Sequence, residues 1–210
     1  MSTIVPYEQR GRVRQKARTR GALLDAARQL LAEGATPTVE QAADRARVSR
    51  TTAYRYFPNH RRLIAATYPE LESSSLLGEN PPSDATSRLE LVMRRFTEQI
   101  LAHEPELRAQ LRLALEPKTN PNETLVLRQG RAITWIEDAL TPLRDQLPAR
   151  ELRTLVLAIR ATTGIEALVW LTDVGGVPRD EAVEIMRSSA RTLLRSAIAE
   201  HAAMQVPEST

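Results

Sequence analysis

Between residues 38 and 62 the chain is cut into short pieces by three residues suited to starting helices, Thr38, Ser49 and Asn59. Thr38-Val39-Glu40-Gln41 fits a capping box, with Thr38 at the N-cap and Gln41 at N3. The helix it opens is short and small-faced, with Ala42, Ala43 and Ala46. Arg47-Val48-Ser49 breaks that pattern, and Ser49 is a good N-cap for a further helix, RTTAYRYF. Pro58-Asn59 ends it, and Asn59 can cap the next. Upstream, Leu23, Ala27, Leu30 and Leu31 repeat at helical spacing, and Gly34 follows as a left-handed terminator.

Two short helices joined by about three residues, with small apolar residues where they cross, make a helix-turn-helix pattern. Ala42, Ala46, Val48, Ala53 and Tyr56 are the packing positions, and Ala43 is small at the closest approach. That leaves Arg50, Thr51, Thr52 and Arg55 on the outer face of the second helix, where they can donate to base edges and phosphates. The N–H groups at the start of such a helix also suit an anion. The alternative is a polar helix pair on a surface. Charge favours DNA: residues 1–68 carry 13 Lys+Arg against 5 Asp+Glu, a net +8, and residues 69–210 carry 16 against 21, a net −5. Only two of the 29 cations are Lys, so position carries the argument and residue type does not.

From Arg14 to Tyr68 the sequence resembles the TetR family of transcription regulators. The resemblance rests on RGALLDAARQLLAEG, TVEQAADRARVS and RTTAYRYFPNHRRLIAATY. It implies an all-α fold: an N-terminal three-helix helix-turn-helix DNA-binding domain (1–68) and a C-terminal helical effector-binding and dimerisation domain (69–210). It places Arg50, Thr51 and Thr52 on bases, divides Tyr54 and Tyr56 between phosphate and core, and packs Phe57 under the third helix. The start of the fourth helix goes to phosphate. Two positions depart from the pattern. Arg47 stands where the family usually has Gly, and a non-Gly residue at positive φ costs on the order of 1 kcal/mol. His60 stands where Lys is usual, with Arg61 and Arg62 available to replace the charge. The expected DNA-contacting set is therefore Arg47, Arg50, Thr51, Thr52, Tyr54, Arg55, Tyr56, His60, Arg61 and Arg62. Cations at Arg10, Arg12, Arg14, Lys16, Arg18 and Arg20 form a basic arm that, if extended, reaches an adjacent minor groove; as a solvated tail it only steers association.

The remainder also reads as helical, with segments at roughly 12–33, 59–75, 84–103, 105–115, 122–141, 148–174 and 178–202 besides the short pair. Ser83-Asp84 can cap a helix striped with Leu89, Val92, Met93, Phe96 and Ile100, and Asn122 one carrying Leu125, Ile133, Trp135, Ile136 and Leu140. Residues 152–171 are apolar on nearly all sides, which predicts a helix buried over most of its circumference. Arg160, Thr162, Thr163 and Glu166 interrupt it and must pair with each other, a ligand or solvent. The last helix carries a stripe from Ala182 to His201 with small serines. The family pairs its last two helices in a homodimer; by sequence alone the stripe is equally an intrachain core. For a small-molecule effector the candidates are Phe96, Arg131, Trp135, Thr163, Glu166 and Trp170. Pro69 marks a possible kink that passes motion to the head.

Enzymes are disfavoured: there is no Cys, no paired-His metal spacing, no Gly-rich phosphate loop and no G-x-S-x-G. No cofactor or metal is expected. No apolar run is expected to reach the roughly 18 residues of a membrane span, and the N-terminus lacks a signal-peptide pattern, so no membrane partner and a cytoplasmic home are expected. The expected function is a homodimeric repressor on a palindromic double-stranded DNA operator, released by a small molecule. The alternative is a nonspecific or architectural DNA-binding protein without an effector, which would not account for the large acidic body.

Overall fold

The computed structural model describes residues 7–68, 75–117 and 130–204, and every regular element among them is helical. In chain order these are α1 (Tyr7–Ala32), α2 (Val39–Ala46), α3 (Arg50–Tyr56), α4 (His60–Ala65), α5 (Ala85–Ala102), α6 (Glu104–Leu115) and α7 (Arg131–Ala139). A 3-10 turn (Thr141–Leu143), α8 (Ala149–Thr162), α9 (Ile165–Val169), a π turn (Trp170–Val174) and α10 (Arg179–Met204) follow. Contacts group the chain into two compact units, Met1–Glu70 with Pro105–Leu127, and Leu71–Glu104 with Arg128–Thr210.

In the first unit α1 packs on α2, and α2 on α3. Their shared core is Leu23, Leu24, Ala27, Val39, Ala42, Ala43, Ala53, Phe57 and Leu63, all buried. Burying each Leu or Phe contributes roughly 1.5–3 kcal/mol, while the alanines let the α2 and α3 backbones approach. Ala46, Val48 and Tyr56 pack partly buried against this core, as the helix-turn-helix spacing predicts. A second cluster joins Leu31 and Ile64 to Ala109 and Leu113, so α6 beyond its first residue belongs with α1 and α4.

In the second unit α10 lies against α5 and α8, and α7 against α5 and α8. Asp84 caps α5, its carboxylate accepting from the Ser87 amide at 2.8 Å. The predicted α5 stripe (Leu89, Val92, Met93, Phe96, Ile100) is buried throughout, as are Ala182, Val183, Met186, Ala190 and Leu194 of α10.

Five expectations are corrected. The helix predicted over 148–174 is interrupted: α8 stops at Thr162, and Gly164 takes φ 110°, ψ −178°, which an L side chain cannot readily adopt. Nor is that segment buried all round, since Leu157 is 43% and Trp170 61% exposed. By length and composition alone Ala149–Val174 does meet the requirement for a membrane span, with mean hydropathy 1.5 in its most apolar window. The basic arm is not extended where it is described, because the backbone is helical from Tyr7. The helix predicted over 59–75 ends at Ala65. Pro69, Asn122 and Leu125 lie outside the described residues.

Candidate nucleic-acid interface

The α2–α3 turn is built by local hydrogen bonds. Thr38 Oγ1 accepts from the Gln41 amide at 3.2 Å, and the Thr38 amide donates to Gln41 Oε1 at 2.9 Å, which closes the capping box. At the other end of α2, the Arg47 amide donates to Asp44 O at 3.2 Å and the Val48 amide to Ala43 O at 2.9 Å. This bond pair is the Schellman motif, with Arg47 left-handed at φ 55°, ψ 39°. Arg47 is the sole non-Gly residue at positive φ among those described. Ser49 Oγ then accepts from the Thr52 amide at 3.3 Å and donates to Thr52 Oγ1 at 2.8 Å, starting α3. Asn59 Oδ1 accepts from the Arg62 amide at 2.9 Å, starting α4. Each cap falls where the sequence places it.

These caps fix what α3 presents. Ala53 and Phe57 point inward, the Phe57 ring only 3% exposed and covered by the Arg20 guanidinium 5.8 Å from its centroid. Arg50, Thr51, Tyr54 and Arg55 are exposed, while Thr52 and Tyr56 are half-buried. Arg47 at the turn and Arg62 on α4 are also exposed, and His60 is half-buried. Arg61 leaves this set. It is 9% exposed, its Nη1 donates to Glu116 Oε2 at 2.6 Å, and its Nη2 reaches Leu113 O at 3.4 Å. A guanidinium committed to a carboxylate inside the unit is not offered to phosphate.

Two acidic residues of α2 that the helix-turn-helix pattern does not single out touch this face. Arg50 Nη2 donates to Asp44 Oδ2 at 3.1 Å, and the Tyr54 hydroxyl donates to Glu40 Oε1. The bond from Tyr54 holds the Glu40 carboxyl below its ordinary range, and the same bond raises the Tyr54 hydroxyl above its own. The signal for them in the sequence is two carboxylates four residues apart in a strongly basic segment. Elsewhere on α2, Arg45 pairs with Glu33 of α1 at 2.5 and 2.9 Å.

The effector candidates lie on α5, α7, the α8–α9 junction, α9 and the π turn. Phe96 and Trp135 meet edge to face, centroids 5.9 Å apart, within the core of the second unit. Thr163 is buried and donates to Ile159 O at 2.8 Å. Glu166 pairs with Arg160 at 3.3 Å, and Arg160 also donates to Thr163 O at 2.6 Å, which satisfies the polar groups inside the apolar segment. Arg131 opens α7, and Trp170 stands exposed on the π turn. A groove of about 530 Å³ between α8 and α10 is walled by other residues, among them Thr154, Leu155, Ala158, Leu193, Ala197 and His201.

Residues 23–67 match the family of bacterial regulatory proteins, tetR family. Among solved structures the fold is similar to that of a SmeT–triclosan complex, with a TM-score of 0.52 and 19% identity over 91% of this chain and 93% of that chain. A TetR-family transcriptional regulator from Streptomyces coelicolor aligns with a TM-score of 0.45 and 22% identity over 85% of this chain and 99% of that chain. Comparison with curated proteins gives no match.

Proposed function

We propose that this chain is a DNA-binding transcription regulator of the TetR family, which the match over residues 23–67 supports, and that it acts as a homodimeric repressor released from a palindromic operator by a small-molecule effector. Members of that family are transcription factors and not enzymes. The observation that carries the reading is the exposed face of α3. Arg50, Thr51, Tyr54 and Arg55 stand outward on a helix whose start, turn and underside are fixed by Ser49, Arg47 and Phe57. In this reading α3 enters the major groove. Arg47 and Arg62, with His60 at the α4 start, contact phosphates and set the register.

One seven-residue helix reads few base pairs, and a two-fold pair of heads doubles the reading over a palindrome. The groove between α8 and α10, with Leu157 and Ile198 exposed on the same two helices, supports a second copy as the occupant of this face. An effector in the second unit would act by binding one spacing of the two heads better than the other. The fold likeness to a structure solved with a small molecule bound supports that part of the reading. The cytoplasm, where operator DNA is reached, is the proposed location.

Footprinting on the DNA around the protein's own gene tests this. The expected result is a protected palindrome, and a ligand screen is expected to find compounds that lift the protection. Uniform coverage without a preferred sequence would favour the nonspecific, architectural reading.

A further inference from the structure

Two donors on the exposed face of α3 are already committed. Arg50 Nη2 is bonded to Asp44 and the Tyr54 hydroxyl proton to Glu40. The acceptors are four residues apart on α2 and the donors four residues apart on α3, so each pair lies along one face of its helix. Arg47, Arg55 and Arg62 are exposed in the same unit and have no such carboxylate among the described residues.

Stability does not account for these contacts. The Arg50–Asp44 pair leaves both side chains more than 60% exposed, and ion pairs that open to water contribute little. Two carboxylates beside a helix that meets a polyanion also lower its affinity. What the contacts do fix is geometry. A guanidinium with one nitrogen committed to Asp44 presents its remaining N–H edge in a set plane, which suits bidentate donation to guanine O6 and N7. A phenol whose proton is committed to Glu40 has only oxygen lone pairs left to offer. Such an oxygen cannot donate to a phosphate. In the major groove it can accept from an exocyclic amino group, adenine N6 or cytosine N4. Near neutral pH the proton stays on Tyr54, because the shared bond lowers the Glu40 carboxyl and raises the Tyr54 hydroxyl.

We propose that Asp44 and Glu40 are positioning residues for base readout. Asp44 sets Arg50 on a guanine, and Glu40 sets Tyr54 as the acceptor for an adenine or cytosine amino group in the same half-site. This rests on the DNA-binding reading above and adds to it the identity of two of the bases read.

Selecting bound duplexes from a random-sequence double-stranded pool with the full-length protein gives the base preference at each position. The wild type is expected to select a half-site with one strongly preferred guanine and a separate position limited to adenine or cytosine. Asp44→Ala is expected to lower the guanine preference about tenfold, in line with the loss of an oriented bidentate contact. Glu40→Ala is expected to erase the adenine-or-cytosine preference, as Tyr54→Phe does. Asp44→Asn and Glu40→Gln remove the same charge but keep an oxygen that can accept. They are expected to retain the motif while binding unselected duplex more tightly. Thermal unfolding of each variant checks that the head is folded. A motif unchanged in both alanine variants, or altered equally by the amide variants, overturns the proposal. A wild type that selects no motif overturns the DNA-binding reading and this proposal with it.

Discussion

Arg47 shows how much one residue can carry in this head. It holds the left-handed position of a Schellman motif where Gly would be free of strain, and its side chain is exposed beside α3. The two roles pull apart under substitution. Arg47→Gly is expected to raise the stability of the head by about 1 kcal/mol, the cost of left-handed backbone for an L residue, as read from the midpoint of urea unfolding. The same change is expected to weaken binding to duplex DNA and to reduce its salt slope by about one counterion. A variant that is more stable yet binds with the same slope would remove Arg47 from the phosphate-contacting set. Arg61 gives the complementary lesson: it stands next to Arg62 in sequence, yet its charge is spent on Glu116 inside the unit.

At the scale of elements, the break between α8 and α9 is the feature that periodicity misreads. Residues 152–171 have the composition of one long buried helix. Gly164 stops it with a backbone conformation open essentially to glycine alone, and the break is tied by Arg160 bonding both Thr163 O and Glu166. An added Cβ at Gly164 would meet the Arg160 guanidinium and approach the Glu166 carboxylate. Gly164→Ala is therefore expected to destabilise the protein by roughly 2–3 kcal/mol. At Gly176, φ +66° with open space around the Cβ position, the same substitution is expected to cost only about 1 kcal/mol. Calorimetric unfolding of the two variants side by side measures the difference, and equal losses would mean that the break is not set by backbone strain.

For the whole molecule, the proposed operator binding depends on two copies. Ala158 lies in the groove between α8 and α10, where a second copy is proposed to seat. Ala158→Arg places a bulky charge there without touching the first unit. Sedimentation velocity is expected to show a monomer for this variant, and the footprint on a full palindrome is expected to weaken by tenfold or more. A dimer that persists would move the interface to another face of the second unit.

Local chemistry is legible in the sequence alone. Thr38, Ser49, Asn59 and Asp84 each meet an amide three residues on, so the residues that start a helix are also the ones that satisfy it. The buried faces of α5 and α10 follow from period alone, because a helix repeats its inward face every 3.6 residues. The charge split between 1–68 and 69–210 marks which part is suited to a polyanion. Tertiary structure decides the contacts whose partners are far apart along the chain. Glu40 reaches Tyr54 across 14 residues and Arg61 reaches Glu116 across 55, pairings that no periodicity encodes. The difference is one of range: caps and stripes are set by bonds within a few residues, whereas the partner of a side chain is chosen only when the helices pack.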